Sequence, residues 1–255
     1  MSSASKRLYE ALDAIGSEPG GITVTDLARE LDVSKATASR LLASLVEAGL
    51  VIKTDSQRHV FDFRLWVWGV QASARARRIA EIARPVAIHV VGTTDALIAT
   101  TILYRKLAVF LEVMIPSHGA TVVIPGAKVI PAYACAPGKA ILAFASPERQ
   151  REALQGPLKA FTGATLTSPE DLQKEFAVIR EKGYALNRCE YFTDTVGVAV
   201  PIFDGNGEVV AAVSSSGPTS IWNIERLEGL VPSLRSISDS ASAALGYSRA
   251  ANMMG

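Results

Sequence analysis

Two helical patterns separated by only two residues constrain this chain more than any other feature. Thr23-Val-Thr-Asp26 has the make-up of a capping box, with Asp26 where Glu is more usual. The helix it opens carries Leu27, Ala28 and Leu31 on one side, and Asp32-Val33 leaves room only for a tight turn. Ser34 then caps a second helix running to about Ala48 and closed by Gly49. Two helices joined this closely, with small Ala28 near their crossing, form a helix-turn-helix. Upstream, Leu8, Ala11, Leu12 and Ile15 fall at helical spacing, and Ser17-Glu-Pro-Gly-Gly21 ends that helix. Downstream, Leu50–Thr54, the turn Asp55–Arg58 and His59–Phe63 read as strand, turn and strand, the wing of a winged helix.

The second helix is expected to bury Leu41, Leu42, Leu45 and Val46. Its other face shows Ala36, Ser39, Arg40 and Ala43. Small residues let a helix enter the major groove, and Arg40 can donate two hydrogen bonds to guanine. Ser34, Lys35, Thr37 and the first-turn amides are placed to hold phosphates. Arg58, expected at the wing tip, either reaches the DNA or is simply solvated. Bulk charge adds little. Residues 1–78 hold 11 Lys+Arg against 9 Asp+Glu, and the whole chain has a net charge of +1, so DNA binding must come from local placement.

The rest of the chain sets broader limits. Its 255 residues, 49% hydrophobic, suffice for two domains or one large one. There is no apolar run long enough to cross a membrane and no signal-peptide core, so a cytoplasmic protein is expected. Two cysteines 54 positions apart, Cys135 and Cys189, cannot form a disulfide scaffold and fit a reducing compartment. Residues 64–78 read as a linker helix whose Trp66 and Trp68 would leave a large apolar patch on a monomer. They pack either on the chain's own wing or on a second copy. Arg84-Pro85 should kink the following helix or restart it.

From residue 79 to 247 strand patterns predominate: Ala96–Tyr104 and Leu107–Ile115 around Arg105-Lys106, Thr121–Ile124, Lys128–Ile130, Tyr184–Asn187, Thr195–Phe203 and Glu208–Ser216. Asp204-Gly-Asn-Gly207 is a strong hairpin signal. Helices are expected at Lys139–Ala145, Pro147–Leu154, from the Ser168 cap to Lys182, and as one closing helix over 223–247. The fold class is α+β with a mainly antiparallel sheet.

Catalytic chemistry finds no footing. Tyr133 and Ala140 break the P-loop pattern around Gly138-Lys139, and Ser214-Ser-Ser-Gly217 lacks the Gly-x-Ser-x-Gly elbow. His59, His89 and His118 have no metal-ligand spacing. Cys189 reads as structural before it reads as a redox sensor.

The stretch Leu8–Leu50, including Thr-Asp-Leu-Ala-Arg-Glu-Leu-Asp-Val-Ser-Lys-Ala-Thr-Ala-Ser-Arg40, resembles the DNA-binding domain of the IclR family of bacterial transcriptional regulators. The family's wing strand Tyr-Arg-Leu-Gly is His59-Val-Phe-Asp62 here, so Val60 replaces its Arg. Ala134–Ala140, Thr165–Leu172, Arg180–Tyr184 and Val210–Pro218 are similar to that family's GAF-like effector-binding domain. The resemblance implies a winged helix-turn-helix at 1–63, a linker helix at 64–78, a GAF-like domain at 79–247 and a flexible tail at 248–255. It further implies a repressor that binds double-stranded, palindromic operator DNA as a homodimer or homotetramer, joined in part by Trp66 and Trp68, and that needs no cofactor, metal or membrane. A small organic acid, aromatic acids among the candidates, would be the effector.

An acid-binding site can be argued physically as well. The loop at Ala136-Pro137-Gly138 starts a helix, with Pro137 suited to its first position, and the free amides at that start, such as those of Gly138 and Lys139, favour a carboxylate. Ser214 and Ser216 lie two apart on a strand and face the same way. Asn187 adds an amide. The resemblance places Ala136, Pro137, Asn187, Gly197, Ser214 and Ser216 around the pocket, with Pro137 lacking an N–H and Gly197 leaving room for a bulkier acid. A constitutive DNA-binding protein and an enzyme with an appended DNA-binding module are the alternatives. No nucleophile beside a base supports the second.

Overall fold

The computed structural model describes residues 3–18, 20–117, 120–125 and 129–248. His118, Lys128 and residues 249–255 of the expected tail lie outside the described residues. The chain divides into two units between Ala74 and Arg75, inside the expected linker.

The first unit begins with α1 (Ser3–Ser17), α2 (Val24–Glu30) and α3 (Lys35–Glu47). Its caps are those the sequence announces. Thr23 Oγ1 accepts from the Asp26 amide and donates to the Asp26 carboxylate at 2.6 Å. Ser34 Oγ accepts from the Thr37 amide. Asp32 takes a left-handed φ of 50° in the turn between α2 and α3, and Gly49 one of 67° after α3. The core gathers Ala11, Ile15, Leu27, Ala38, Leu42, Leu45 and Val51. Val46, expected inside, is 39% exposed, and Ala38 fills the interior instead. Ala38, Leu42 and Leu45 follow the helical period, and Val46 lies one step past that stripe.

The wing pairs β1 (Val51–Lys53) with β2 (His59–Phe61), and Lys53 faces His59. The sequence reading missed a third contributor. Ile22 and His59 exchange backbone hydrogen bonds of 3.0 and 2.8 Å, tying the segment before α2 to the wing. Phe63, expected in the wing strand, instead starts α4 (Phe63–Ala72), capped by Asp62.

The second unit opens with α5 (Ala74–Thr94). The expected single linker helix is two, because α4 ends at Ser73, whose hydroxyl and amide bond back to Val70 and Gly69. Pro85, the expected break, lies within α5. β3 (Ile98–Tyr104), β4 (Leu107–Ser117), β5 (Ala120–Pro125), β6 (Val129–Pro131), β7 (Ala185–Arg188), β8 (Thr195–Phe203) and β9 (Val209–Pro218) form an antiparallel sheet. The order is β5-β4-β3-β9-β8-β7, with β6 on the same edge of β4 as β5.

Strand alternation divides this sheet into two surfaces. Ile98, Met114, Val198, Val200, Ile202 and Val213 pack with α5, α9 (Ile224–Glu228) and α10 (Val231–Ala244). The other face is built of small residues, Ala108, Ala185, Ala199 and Ala212, and takes α6 (Ala136–Phe144) and α8 (Pro169–Lys182). A short helix, α7 (Pro147–Ala153), follows α6. The expected single closing helix splits at Gly229 because Pro232, in the first turn of α10, has no N–H to continue α9. Where β7 ends, α10 replaces it as partner of β8: the Ser238 hydroxyl donates to the Pro201 carbonyl and Ser242 Oγ accepts from the Phe203 amide.

His59 gives the first unit a pH dependence. It is buried with Nδ1 unpartnered, and burial, aided by the Lys53 charge, holds its pKa below the ordinary 6.5. A depressed histidine pKa means that the unfolded state binds the proton first as pH falls. The unit should therefore lose stability as pH drops below about 6.5, until the lower folded-state pKa is passed. Calorimetry from pH 7.5 to 5 should show its transition moving down, with a flatter dependence in His59→Gln.

Candidate functional site

In the first unit, α3 offers an outward face free of large apolar side chains except at its far end. Ala36, Ser39, Arg40 and Ala43 are exposed, as are Lys35 and Ser34 at the start, and Thr37 is half-buried by its place in the Ser34 cap. Arg58 is placed otherwise than expected. It sits after the turn rather than at its tip, half-buried, and its guanidinium donates to the Gly21 carbonyl at 2.8 Å. That bond fastens the wing to the turn before α2. On α4, Phe63, Trp66 and Trp68 are all more than half exposed, and Phe63 stacks on Trp66 with ring centroids 4.8 Å apart.

The second unit holds a cavity of about 290 Å³ on the small-residue face of its sheet, at the start of α6. Strand register assembles it. Asn187, Gly197 and Ser216 lie opposite one another across β7, β8 and β9, and Ala99 and Ser214 form the next pair across β3 and β9. Ala136 and Pro137, the first turn of α6, close one end. Six of the seven residues expected there, Ala136, Pro137, Asn187, Gly197, Ser214 and Ser216, line the cavity.

Their chemistry differs from one to the next. Ser214 is buried and Ser216 half-buried, and among the described residues neither hydroxyl has a hydrogen-bond partner. The Ala136 N–H belongs to the first helical turn and has no acceptor within the helix. Asn187 is already occupied. Its Nδ2 donates to the Thr195 carbonyl at 3.1 Å and its Oδ1 accepts from the Glu190 amide at 3.0 Å, so only one N–H is left over.

Gly138, the seventh, is a correction. It does not line the cavity. A Cβ there would fall 2.2 Å from the Ala132 carbonyl oxygen. Gly138 is needed for close packing, not for contact with a ligand. Lys139 differs too, since its amide bonds the Cys135 carbonyl inside α6. Its side chain is wholly buried, with Nζ 2.7 Å from Glu190 Oε1 and 3.0 Å from Glu175 Oε1. Removing one member of such a buried pair typically costs about 3–5 kcal/mol.

The remaining walls are mainly apolar, Leu97, Phe110, Val113 and Ile130, with Tyr191 and Phe192 from the loop after β7, and Thr195 and Ser215 complete them. Sequence reasoning missed all of them, because an apolar strand residue facing a cavity has the same local pattern as one facing a core. Cys135 also lines the cavity, and burial pushes its thiol up to about 12. While buried it is therefore protonated and slow to react at neutral pH. No Lys, Arg or His is among the lining residues, so an anion would be held by dipoles and hydroxyls.

Residues 71–243 match the family model described as bacterial transcriptional regulator IclR C-terminal, and residues 9–59 match a MarR family model. The HTH-type transcriptional regulator BhcR of Paracoccus denitrificans is 32% identical over 88% of this chain and 80% of its own. The transcriptional repressor IclR of Escherichia coli is 28% identical over 84% and 79%. A crystal structure of an IclR homolog from Microbacterium hydrocarbonoxydans, complexed with 4-hydroxybenzoate, superimposes with a TM-score of 0.72 at 25% identity, covering 94% of this chain and 97% of that one.

The two glycines at the site should respond differently to a methyl group. Gly138→Ala must push backbone against backbone and should cost about 3 kcal/mol or more, lowering the unit's thermal midpoint by several degrees. At Gly197 the added Cβ meets Ser215 O and Ser216 Cβ at 3.2 Å. Gly197→Ala should cost less than about 1.5 kcal/mol and act mainly by narrowing the cavity. Thermal melts of the two variants check the order.

Proposed function

The chain belongs to the IclR family of bacterial transcriptional regulators, and from that premise we propose that it is a cytoplasmic, ligand-responsive repressor of a catabolic pathway. Its helix-turn-helix binds DNA and its second unit is the ligand-binding domain. In our reading the operator is palindromic and α3 lies in its major groove. Arg40 donates to a guanine edge, Ala36, Ser39 and Ala43 permit the approach, and Ser34, Lys35 and Thr37 hold phosphates. Arg58 braces the wing from which further contacts are made. Two copies associate through the exposed Trp66 and Trp68 of α4, since a patch of this kind marks a contact surface.

The effector is a small aromatic carboxylic acid. The observation that carries this is the cavity's division of labour. Ala136 at the start of α6 and two serines with unengaged hydroxyls border the cavity, and Phe110, Tyr191 and Phe192 with aliphatic side chains supply apolar walls. A helix start with hydroxyl donors can hold a carboxylate without a cation, and its size sits at the lower end for small-ligand sites. The Microbacterium relative's 4-hydroxybenzoate complex agrees with that chemistry. Binding in the second unit changes operator affinity through differential stabilisation of two arrangements of the dimer. About 1–3 kcal/mol of coupling is usual.

Three measurements test this. Arg40→Ala should lose about 1–3 kcal/mol of operator affinity while leaving ligand binding intact; unchanged DNA affinity would remove α3 from the groove. A thermal-shift panel of aromatic and short aliphatic carboxylates should single out aromatic acids. A ligand at about 100 times its Kd adds about 2.7 kcal/mol, several degrees for a domain of this size. Replacing Ser214 and Ser216 by Ala should then weaken the best acid tenfold or more and leave effector-free operator affinity as it was. Equal affinity would place the carboxylate elsewhere.

A further inference from the structure

Lys139 is the most thoroughly buried charge in the second unit, with no solvent exposure, and its two partners come from different elements. Glu175 belongs to α8. Glu190 belongs to the loop at 189–194, whose Tyr191 and Phe192 line the cavity, with Phe192 42% exposed. We propose that Lys139 is a positioning residue that latches this loop across the cavity, so that access to the site requires the Lys139–Glu190 ion pair to open.

Four features support the assignment. First, the loop is hung mainly from polar bonds. Thr162 and Thr165 hydroxyls donate to the carbonyls of Cys189 and Glu190 at 2.7 and 2.6 Å, and Tyr191 packs on Phe161. Second, Cys189 holds a left-handed φ of 60°, a conformation a non-glycine residue keeps only while its surroundings enforce it. Third, the latch is only half satisfied. Glu190 Oε1 takes the Lys139 ammonium and the Arg188 amide, but Oε2 is buried without a partner, a cost that opening would relieve. Fourth, opening need not strand the lysine. Glu175 stays on α8 at 3.0 Å and keeps the ammonium paired when Glu190 leaves. Lys139 lies three residues after Ala136 on the helix whose first turn lines the cavity, so the fixed side of the latch and that wall of the cavity belong to one helix.

The inference rests on reading the cavity as a ligand site, but its test needs no ligand. In a Cys189→Ser background, Cys135 on the cavity wall is the remaining thiol, and its reaction with methyl methanethiosulfonate, followed by mass spectrometry, reports access. Lys139→Met should accelerate it at least tenfold, and Glu190→Gln severalfold. Losing the lysine's charge would by itself disfavour the Cys135 thiolate, so acceleration in Lys139→Met reports exposure; losing the Glu190 charge would favour it, so the Glu190→Gln rate is compared after correction for the thiolate fraction read from its pH dependence. Glu175→Gln should do the opposite and slow the reaction, because opening would then leave Lys139 unpaired; a merely structural lysine predicts no such reversal. Amide exchange in α10 should stay constant throughout. Unchanged rates in Lys139→Met and Glu190→Gln, acceleration in Glu175→Gln, or α10 protection lost in step with Cys135 would each overturn the latch. Should Lys139→Met fail to fold, the two glutamate variants decide. A wild-type protein that no carboxylate stabilises would remove the aromatic-acid reading and leave these rates standing.

Discussion

Gly138 rests so close to Ala132 that any side chain would strike the Ala132 backbone, and this contact fixes how α6 enters the second unit. From Ala136 to Ala143 every residue of α6 is buried, which is tolerable only for a helix enclosed on all sides. Enclosure requires a sheet face it can approach, and Ala108, Ala185, Ala199 and Ala212 provide one. The cavity is the space left where α6 starts and the small-residue face continues past it through Ala99, Gly197 and Ser214. The site is thus a consequence of helix-to-sheet spacing, and its polar end is the helix start itself.

The same strands serve a second purpose on their reverse. Ala99, Val113 and Ser214 face the cavity, while Ile98, Thr100, Glu112 and Met114 alternate with them toward α5. There Arg84 of α5 pairs with the buried Glu112 at 2.8 Å. A sheet only one residue thick between cavity and helix lets packing on one face bear on the other, because close-packed interiors transmit strain.

Polar side chains that sequence inspection would assign to a ligand or to DNA often turned out to hold loops. Asn187 reads as an open amide, yet both its ends are engaged in the turn after β7. Arg58 reads as a wing-tip cation, yet it fastens the wing to Gly21, 37 positions away. By contrast Ser214 and Ser216, separated by one residue, had to share a face whatever the tertiary fold. That inference needed only strand geometry.

What the sequence determined by itself is local. The Thr23, Ser34 and Ser168 caps, the left-handed Gly49 and Gly183, and the Asp204–Gly207 hairpin all rest on contacts within about four residues. The helix-turn-helix and the β8–β9 hairpin follow from them, and the serine pair from strand alternation. Tertiary structure alone decided that Gly138 packs rather than binds, and that Lys139 meets partners 36 and 51 positions away. It also decided which apolar residues border a cavity instead of a core. The reason is physical: propensity, capping and strand alternation act along the chain, whereas burial and the pairing of buried charge depend on which distant segments fill the neighbouring space.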